Sequence, residues 1–291
     1  MTTSEARASY ILTLSCQDRI GIVAAVSGHL AALGGFIVDS QQYADLAAER
    51  FFLRVEFQAT GEAFPKSLAQ LCSGFLPVAR RFDLDWELLP STHRPKLLLA
   101  VSRGGHCLND LLHRWQTGNL PVEIVGVVSN HPEFRGLTEW HGIPFHHLPV
   151  SPEIRKRQEE QFLSLFTESG ADYLVLARYM QVLSPEFVEK LSGRCINIHH
   201  SFLPSFKGPR PYHRAHQRGV KLIGATAHFV TSELDEGPII EQDVERVDHR
   251  ATEHDLVRIG RDIEARVLAR AVRWAAERRV FLNGIRTVVF R

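Results

Sequence analysis

The chain has 291 residues, of which 44% are hydrophobic and 23% are charged, values that are ordinary for a soluble globular protein of two domains. Its 34 lysines and arginines nearly balance its 33 aspartates and glutamates, and the net charge of +1 argues against duplex nucleic acid as a partner. The 4 cysteines form no CxxC pair, which argues against a disulfide framework and favours a reducing compartment. No aliphatic run approaches the roughly 18 residues that span a bilayer, and we expect no secretory signal. Composition therefore predicts a cytoplasmic protein without a nucleic-acid or membrane partner.

Residues 8–90 have the hydrophobic periodicity of a small βαββαβ unit. Strands are predicted at residues 10–15, 36–43, 51–57 and 82–88, and helices at residues 21–33 and 64–75. In the last two strands apolar and polar residues alternate, which indicates one buried face. The order of elements predicts a ferredoxin-like, four-stranded antiparallel sheet with two helices on one face.

The turn into the first predicted helix, residues 18–23, reads Asp-Arg-Ile-Gly-Ile-Val and resembles the corresponding turn of ACT domains. The resemblance implies a regulatory and oligomerisation domain, in which subunits pair and often hold an amino acid at their interface. We therefore expect a homo-oligomer with an amino-acid effector, and methionine and glycine are the first candidates. The alternative is a ferredoxin-like oligomerisation module that binds no ligand.

Residues 89–95 contain two prolines among small polar residues, and we expect a linker that joins neither sheet. From residue 95 to residue 291, apolar strands alternate with helices. Strands are predicted at residues 96–102, 122–129, 173–177 and 195–199 and through His228, and helices at residues 108–116, 151–168, from 184 and 252–278. This alternation predicts a Rossmann-like, mostly parallel α/β domain.

The chemistry is expected where the strands of the second domain end, because ligands of such sheets lie beyond the carboxyl ends of the strands. Asn197 and His199 are two residues apart on one predicted strand and so share a face. An amide donor beside a titratable imidazole is suited to stabilising the oxyanion of an attacked carbonyl. The acidic loop after the strand through His228 carries Asp235, a carboxylate that is able to position water and move protons. The alternatives are a core histidine with a capping asparagine, and a simple turn.

Taken together, these motifs resemble the folate-dependent formyltransferases over residues 95–291. The pattern consists of Asn197-x-His199, residues 201–204, Gly208, residues 228–230 and residues 234–238. The resemblance implies that Asn197, His199 and Asp235 are catalytic and that the folate substrate is bound by other pocket residues. These substrate-binding residues are expected to be Met180, Val182, Leu183, His228, Phe229, Val230, Ser232 and Gly237.

One departure from the transformylases of this family concerns the second substrate. The turn at residues 101–107 lacks the Gly-x-Gly-Ser-Asn spacing that holds a ribonucleotide phosphate in those enzymes, so we expect water as the formyl acceptor. With the ACT-like unit and residues 206–213, the chain resembles the formyltetrahydrofolate deformylase family. That resemblance implies hydrolysis of an amide C–N bond in 10-formyltetrahydrofolate to give formate for purine biosynthesis. The alternatives are a formyltransferase with an amine acceptor and a non-catalytic folate or amino-acid sensor.

The expected mechanism needs no metal and no cofactor, since the histidine pairs lack the usual ligand spacing of a zinc site. Water held by Asp235 would attack the formyl carbon, with Asn197 and a protonated His199 on the oxyanion. We expect the neighbouring acidic residues of the loop to raise the pKa of Asp235. His228 would either support His199 or Asp235 or belong to the core. The resemblance also implies a cis Leu203-Pro204 bond.

Overall fold

The computed structural model describes residues 7–60, 64–204 and 211–291, which divide into two compact units. The first unit runs to His93 and includes Phe290–Arg291, and the second unit is Arg94–Val289. Among the described residues, no helix is both long and apolar enough to cross a membrane.

The first unit is a four-stranded antiparallel sheet with the strand order β2-β3-β1-β4. Its elements are β1 (Ser9–Gln17), α1 (Ile22–Ala32), β2 (Gly35–Asp45), β3 (Arg50–Ala59), α2 (Leu68–Phe82) and β4 (Asp85–Pro90). The predicted βαββαβ order is therefore confirmed. Helix α1 follows Gly21, whose φ of 95° is in the left-handed region that favours glycine. Helix α2 begins at Ser67, whose side chain accepts a hydrogen bond from the Gln70 amide.

The fourth strand differs from its prediction at both ends. Phe82 is the last residue of α2, and the strand begins only at Asp85. At the other end, Leu89 and Pro90 pair with Ile11 and Tyr10, so these two residues belong to the sheet and not to the linker. A proline is tolerated there because β4 is an edge strand and Pro90 is its final residue.

The third strand was predicted to bury one face, and this is wrong. Phe52 and Arg54, on the face predicted to be exposed, are 0% and 1% exposed. The Arg54 guanidinium forms ion pairs with Asp39 at 3.2 Å and with Glu56 at 3.4 Å. A buried charge needs such partners, and with them β3 is covered on both faces.

The second unit contains a seven-stranded sheet with the order β11-β10-β9-β8-β5-β6-β7 and a two-stranded sheet of β12 and β13. Strands β9, β8, β5, β6 and β7 run parallel, whereas β10 is antiparallel to β9 and to β11. The mostly parallel sheet is confirmed. The elements are β5 (Lys96–Val101), α3 (His106–Gln116), β6 (Glu123–Ser129), α4 (Arg135–Trp140), β7 (Phe145–His147), α5 (Arg155–Glu168), β8 (Tyr173–Leu176), α6 (Pro185–Lys190), β9 (Cys195–His199), α7 (Pro211–Gln217), β10 (Leu222–Phe229), β11 (Ile239–Arg246), α8 (Glu253–Ala276), β12 (Val280–Asn283) and β13 (Arg286–Val289).

Helices cover both faces of this large sheet. Along β5, Leu97 and Leu99 join one core with residues of α3 and α8, and Leu98 joins the other core with residues of α5 and α6. This explains why β5 is apolar without alternation. The three layers leave the carboxyl ends of the parallel strands as the natural place for a site.

Two helix starts show how capping decides where a helix begins. Ser184 accepts a hydrogen bond from the Phe187 amide, as its place before Pro185 predicts. The predicted start of α5 at Ser151 is wrong, because the Ser151 hydroxyl bonds to the Glu153 carboxylate and the helix begins at Arg155.

Candidate active site

The amide of Asn197 and the imidazole of His199 lie at the carboxyl end of β9. Strand β10 pairs with this end, so that Asn197 lies opposite His228 and His199 lies opposite Thr226. His199 is 6% exposed and His228 is 2% exposed. The edge between β9 and β10 therefore brings two buried imidazoles and one amide together.

Asp235 is carried to this edge by the tight loop between β10 and β11. The loop is closed at its base, where the Phe229 amide donates to the Pro238 carbonyl at 2.9 Å. A Cβ at Gly237 would lie 1.7 Å from the Phe229 carbonyl oxygen, so only glycine permits this close approach. Asp235 itself has a left-handed φ of 59°. This backbone course puts Asp235 Oδ1 3.0 Å from His199 Nδ1 and 4.0 Å from His228 Nε2.

The environment of Asp235 lowers its pKa instead of raising it. The hydrogen bond from His199 is the largest cause and outweighs the opposing effect of burial. The expected increase from Glu233 and Glu236 is therefore wrong. Both glutamates are exposed, where water screens their charge, whereas His199 is in direct contact with the carboxylate. The aspartate is thus held ionised beside the imidazole.

His228 contacts Asn197, a partner that neither of its two sequence-based interpretations included. Its Nδ1 lies 2.8 Å from the Phe229 carbonyl oxygen, which can only accept, so this nitrogen carries the proton. Burial lowers the pKa of His228, and the neutral Nε2 accepts a hydrogen bond from Asn197 Nδ2 at 3.2 Å. This bond fixes the orientation of the Asn197 amide.

These groups open into a pocket of about 310 Å³ in the second unit. Five of the predicted substrate-binding residues besides His228 line it, namely Met180, Val182, Leu183, Val230 and Ser232. The other two predicted substrate contacts are not among the lining residues. Phe229 is 5% exposed and belongs to the core, and Gly237 packs against the Phe229 carbonyl, so both shape the loop from behind.

The turn after β9 is held by a buried threonine. Thr226 Oγ1 accepts a hydrogen bond from the Leu203 amide at 3.1 Å and donates to the Ser201 carbonyl at 2.9 Å. The Leu203-Pro204 bond is cis, as the resemblance implied. Gly208 and the rest of residues 205–210 lie outside the described residues.

Sequence reasoning missed a polar cluster built around Glu264 of α8, which is 1% exposed. His106 Nε2 donates to this carboxylate at 2.8 Å, the Tyr212 hydroxyl donates at 2.6 Å, and Arg178 Nε forms an ion pair at 3.2 Å. Burial pushes the pKa of Glu264 upward, but these partners outweigh it and the net shift is downward. The only available signal was that Arg178 is two residues from Met180, a predicted substrate-binding residue, because Glu264 is far away in the chain.

The same cluster does not fit a metal ion. Ligand atoms of His106, Cys107 and Glu264 lie within 4.8 Å of one another. However, the Arg178 guanidinium already neutralises the carboxylate. Burial holds the pKa of Cys107 well above its usual range, which keeps the thiol protonated, whereas a metal ligand must be a thiolate.

Comparison with known proteins agrees with this fold. Residues 95–272 match the formyl transferase family. The chain is 54% identical over 282 residues to the formyltetrahydrofolate deformylase of Corynebacterium sp. (strain P-1), which covers 97% of this chain and 98% of the relative. It is 50% identical to the enzyme of that name from Bacillus subtilis (strain 168), with 96% and 93% covered. A crystal structure of formyltetrahydrofolate deformylase from Burkholderia mallei matches with a TM-score of 0.93 at 52% identity, covering 98% of this chain and 100% of that chain.

These relatives match this chain along nearly its whole length, at about half identity. The chain therefore belongs to the formyltetrahydrofolate deformylase family.

Proposed function

We propose that this enzyme hydrolyses 10-formyltetrahydrofolate to tetrahydrofolate and formate, with water as the acceptor. The observation that carries the proposal is the meeting of Asn197, His199 and Asp235 at the end of one pocket. Exposed apolar side chains of Met180 and Val182, 56% and 60% exposed, offer a surface for the flat ring system of a folate. Formate released in this way would supply purine biosynthesis.

The contacts support a role for each group in this proposal. His199 Nδ1 donates to Asp235, so Nε2 is left to face the substrate; it is buried and has no hydrogen-bond partner among the described residues. When His199 is protonated, Nε2–H and the Asn197 amide are donors for the oxyanion that forms on the formyl oxygen. His228 holds that amide in place. Asp235 is ionised before the reaction, and it then accepts a proton from the attacking water.

Hydrolysis proceeds in two steps, addition of water and loss of the folate nitrogen. Water adds its oxygen to the formyl carbon and passes one proton to Asp235, which gives a tetrahedral oxyanion. As the oxyanion collapses, the C–N10 bond breaks and the proton moves from Asp235 to N10 of the folate. Formic acid leaves and ionises to formate. The enzyme returns to its starting state without a metal or a redox step.

The start of α3 supports water over a phosphorylated amine as acceptor. Its first residue, His106, is tied to the buried Glu264 carboxylate. A Cβ at Gly105 would lie 2.3 Å from the Phe134 ring, so that ring already covers the turn. A phosphate here would meet an aromatic ring and a histidine that is already bonded to a carboxylate, instead of open backbone amides.

A buffer-only assay tests the proposal. Purified enzyme with 10-formyltetrahydrofolate and no amine is expected to release formate and tetrahydrofolate in equal amounts. Formate release that occurs only after an amine is added would show a formyltransferase. Folate binding without turnover under both conditions would show a sensor.

We further propose that residues 8–90 form an ACT domain that regulates residues 95–291 and pairs subunits into a homo-oligomer. A pocket of about 400 Å³ in the first unit supports an amino-acid effector, because it is lined by both cations and anions, namely Arg19, Arg50, Asp83 and Asp85. Charges of both signs match an α-carboxylate and an α-ammonium group, and methionine and glycine are the ligands to test. Pairing is supported by the edge strand β2, which exposes 60% of Phe36.

A further inference from the structure

A line of contacts connects helix α8 with the histidine pair at the end of β9. Glu264 holds Arg178, and Arg178 Nη1 lies 2.8 Å from Nδ1 of His200. The His200 ring stacks on the His199 ring, with centroids 4.8 Å apart and planes inclined by 23°. The mechanism proposed above uses His199 but assigns nothing to His200 or Arg178, although both line the pocket.

The proton positions on His200 follow from its partner. A guanidinium group only donates hydrogen bonds, so His200 Nδ1 is the acceptor and carries no proton. The ring is then neutral, with its single proton on Nε2. Burial, together with the positive charges of Arg178 and His199, lowers the pKa of His200 to about 4, in agreement with this geometry.

We infer that Arg178, held by Glu264, is a positioning residue that keeps His200 neutral against His199, so that the stacked pair carries one proton and that proton stays on His199. The inference rests on the proposed function, since a protonated His199 is what oxyanion stabilisation needs. Charges of the same sign on two stacked rings repel, and a proton on His200 would displace the proton from His199.

Some groups around His200 raise its pKa and others lower it. Asp235 and Glu264 favour a proton on this ring, but burial and the neighbouring cations outweigh them. Tyr212 faces the ring at 6.4 Å between centroids, and burial raises the pKa of this tyrosine, which keeps it uncharged. In the described part of the chain, the ionisable groups near His200 include Arg178 after β8, His199 on β9, Tyr212 on α7, Asp235 after β10 and Glu264 on α8.

The direct test is the protonation state of His200 in the full-length enzyme. Long-range proton–nitrogen correlation spectra of histidine-labelled protein distinguish protonated from unprotonated ring nitrogens, and the signals lost in His200→Gln identify the ring. We expect one proton, on Nε2, from about pH 5 to about pH 9, a range in which an ordinary histidine titrates. A proton on Nδ1, or a titration of His200 within that range, would overturn the inference.

Substitution of the arginine sharpens the test. Arg178→Gln removes the cation that opposes proton binding, so we expect the pKa of His200 to rise, although burial continues to hold it down. We expect kcat of this variant, relative to wild type, to fall as the pH is lowered from about 8 to about 5, in step with the protonation of His200 in the spectra. Arg114→Gln is the matched control, because Arg114 on α3 pairs with Asp110 at 2.7 Å and lies outside the pocket. We expect this control to keep both the spectrum of His200 and the pH profile.

A purely structural role gives a different result. If Arg178→Gln loses the same factor in kcat at every pH while His200 Nδ1 stays unprotonated, the inference is wrong. If the variant does not fold, the wild-type spectra decide. The spectra do not depend on turnover, so a missing formate product contradicts the proposed function separately from the protonation of His200.

Discussion

Both pockets of this molecule contain basic and acidic side chains, but these side chains are mostly buried in the second unit and mostly exposed in the first. In the second unit, His199 and His228 are buried and each bonds to a defined partner at the strand ends. In the first unit, Arg19, Asp83 and Asp85 are exposed, and they lie in loops or at the start of a strand. The buried hydrogen bonds of the second unit fix which histidine nitrogen carries a proton. The exposed charges of the first unit do not fix proton positions.

This difference separates acid–base chemistry from recognition. Removing water lets one hydrogen bond dominate a pKa, as His199 does for Asp235. Exposed charges are screened and contribute chiefly to binding and orientation. The first-unit pocket is thus suited to holding a zwitterion and the second to moving protons, and four experiments test this comparison.

The largest effect is expected from removal of the two oxyanion donors. Asn197→Ala and His199→Ala should each lower kcat by about 10²- to 10³-fold, because each donor acts chiefly on the transition state. Steady-state formate release measures this, and circular dichroism checks folding. Turnover of either variant within about threefold of wild type would contradict the assignment.

A comparable loss is expected at the carboxylate. Asp235→Asn keeps the shape of the side chain but removes the base, so the folate should bind with nearly normal affinity while formate release slows by orders of magnitude. Glu236→Gln is the matched control, because Glu236 is an exposed acid of the same loop. Near-normal turnover of Asp235→Asn would place the proton transfer elsewhere, with His228 as the next candidate.

The acid limb of the pH profile should report the lowered pKa of Asp235. The active form needs the carboxylate ionised, and the hydrogen bond from His199 keeps it so to lower pH than an ordinary aspartate. Protonation of Asp235 should therefore reduce activity only when the pH falls below the ordinary aspartate pKa of about 3.9. On the alkaline side activity should fall when the His199 imidazole loses its proton, because the protonated ring is a donor to the oxyanion in the proposed mechanism. The measurement is kcat/KM as a function of pH for wild type and Asp235→Asn. If the substitution removes an acid limb that lies above about pH 5, the pKa of Asp235 is not lowered and the prediction is wrong.

The smallest effect is expected in the first unit. Methionine or glycine should raise the Tm of the full-length enzyme by a few degrees, and Arg50→Gln should abolish that rise, because Arg50 lines the pocket and donates to the Ser15 hydroxyl at 2.9 Å. Arg81→Gln, on the exposed surface of α2, is the control. The absence of any thermal shift with either amino acid would favour a pairing module without a ligand.

Much of the fold was predictable because local pattern and packing agree. The alternation around Trp86, the serine at position 184 before Pro185 and the apolar run of β5 each identify an element correctly. Prediction was wrong where a side chain satisfied a different partner. The Ser151 hydroxyl bonds to Glu153 instead of capping a helix, and Arg54 is buried by virtue of Asp39 and Glu56.

The shared face of Asn197 and His199 was predictable from sequence spacing, because residues two apart on a strand share a face whatever surrounds them. The sequence also determined the loop that bears Asp235, through its glycine and proline. Tertiary structure alone decided the sign of the pKa shift of Asp235, since that sign depends on a 3.0 Å contact with a residue 36 positions away. It alone brought Glu264 and Arg178 against His200, because partners distant in the chain meet only when the layers pack. Charge state is set by neighbours in space, and a linear pattern does not contain them.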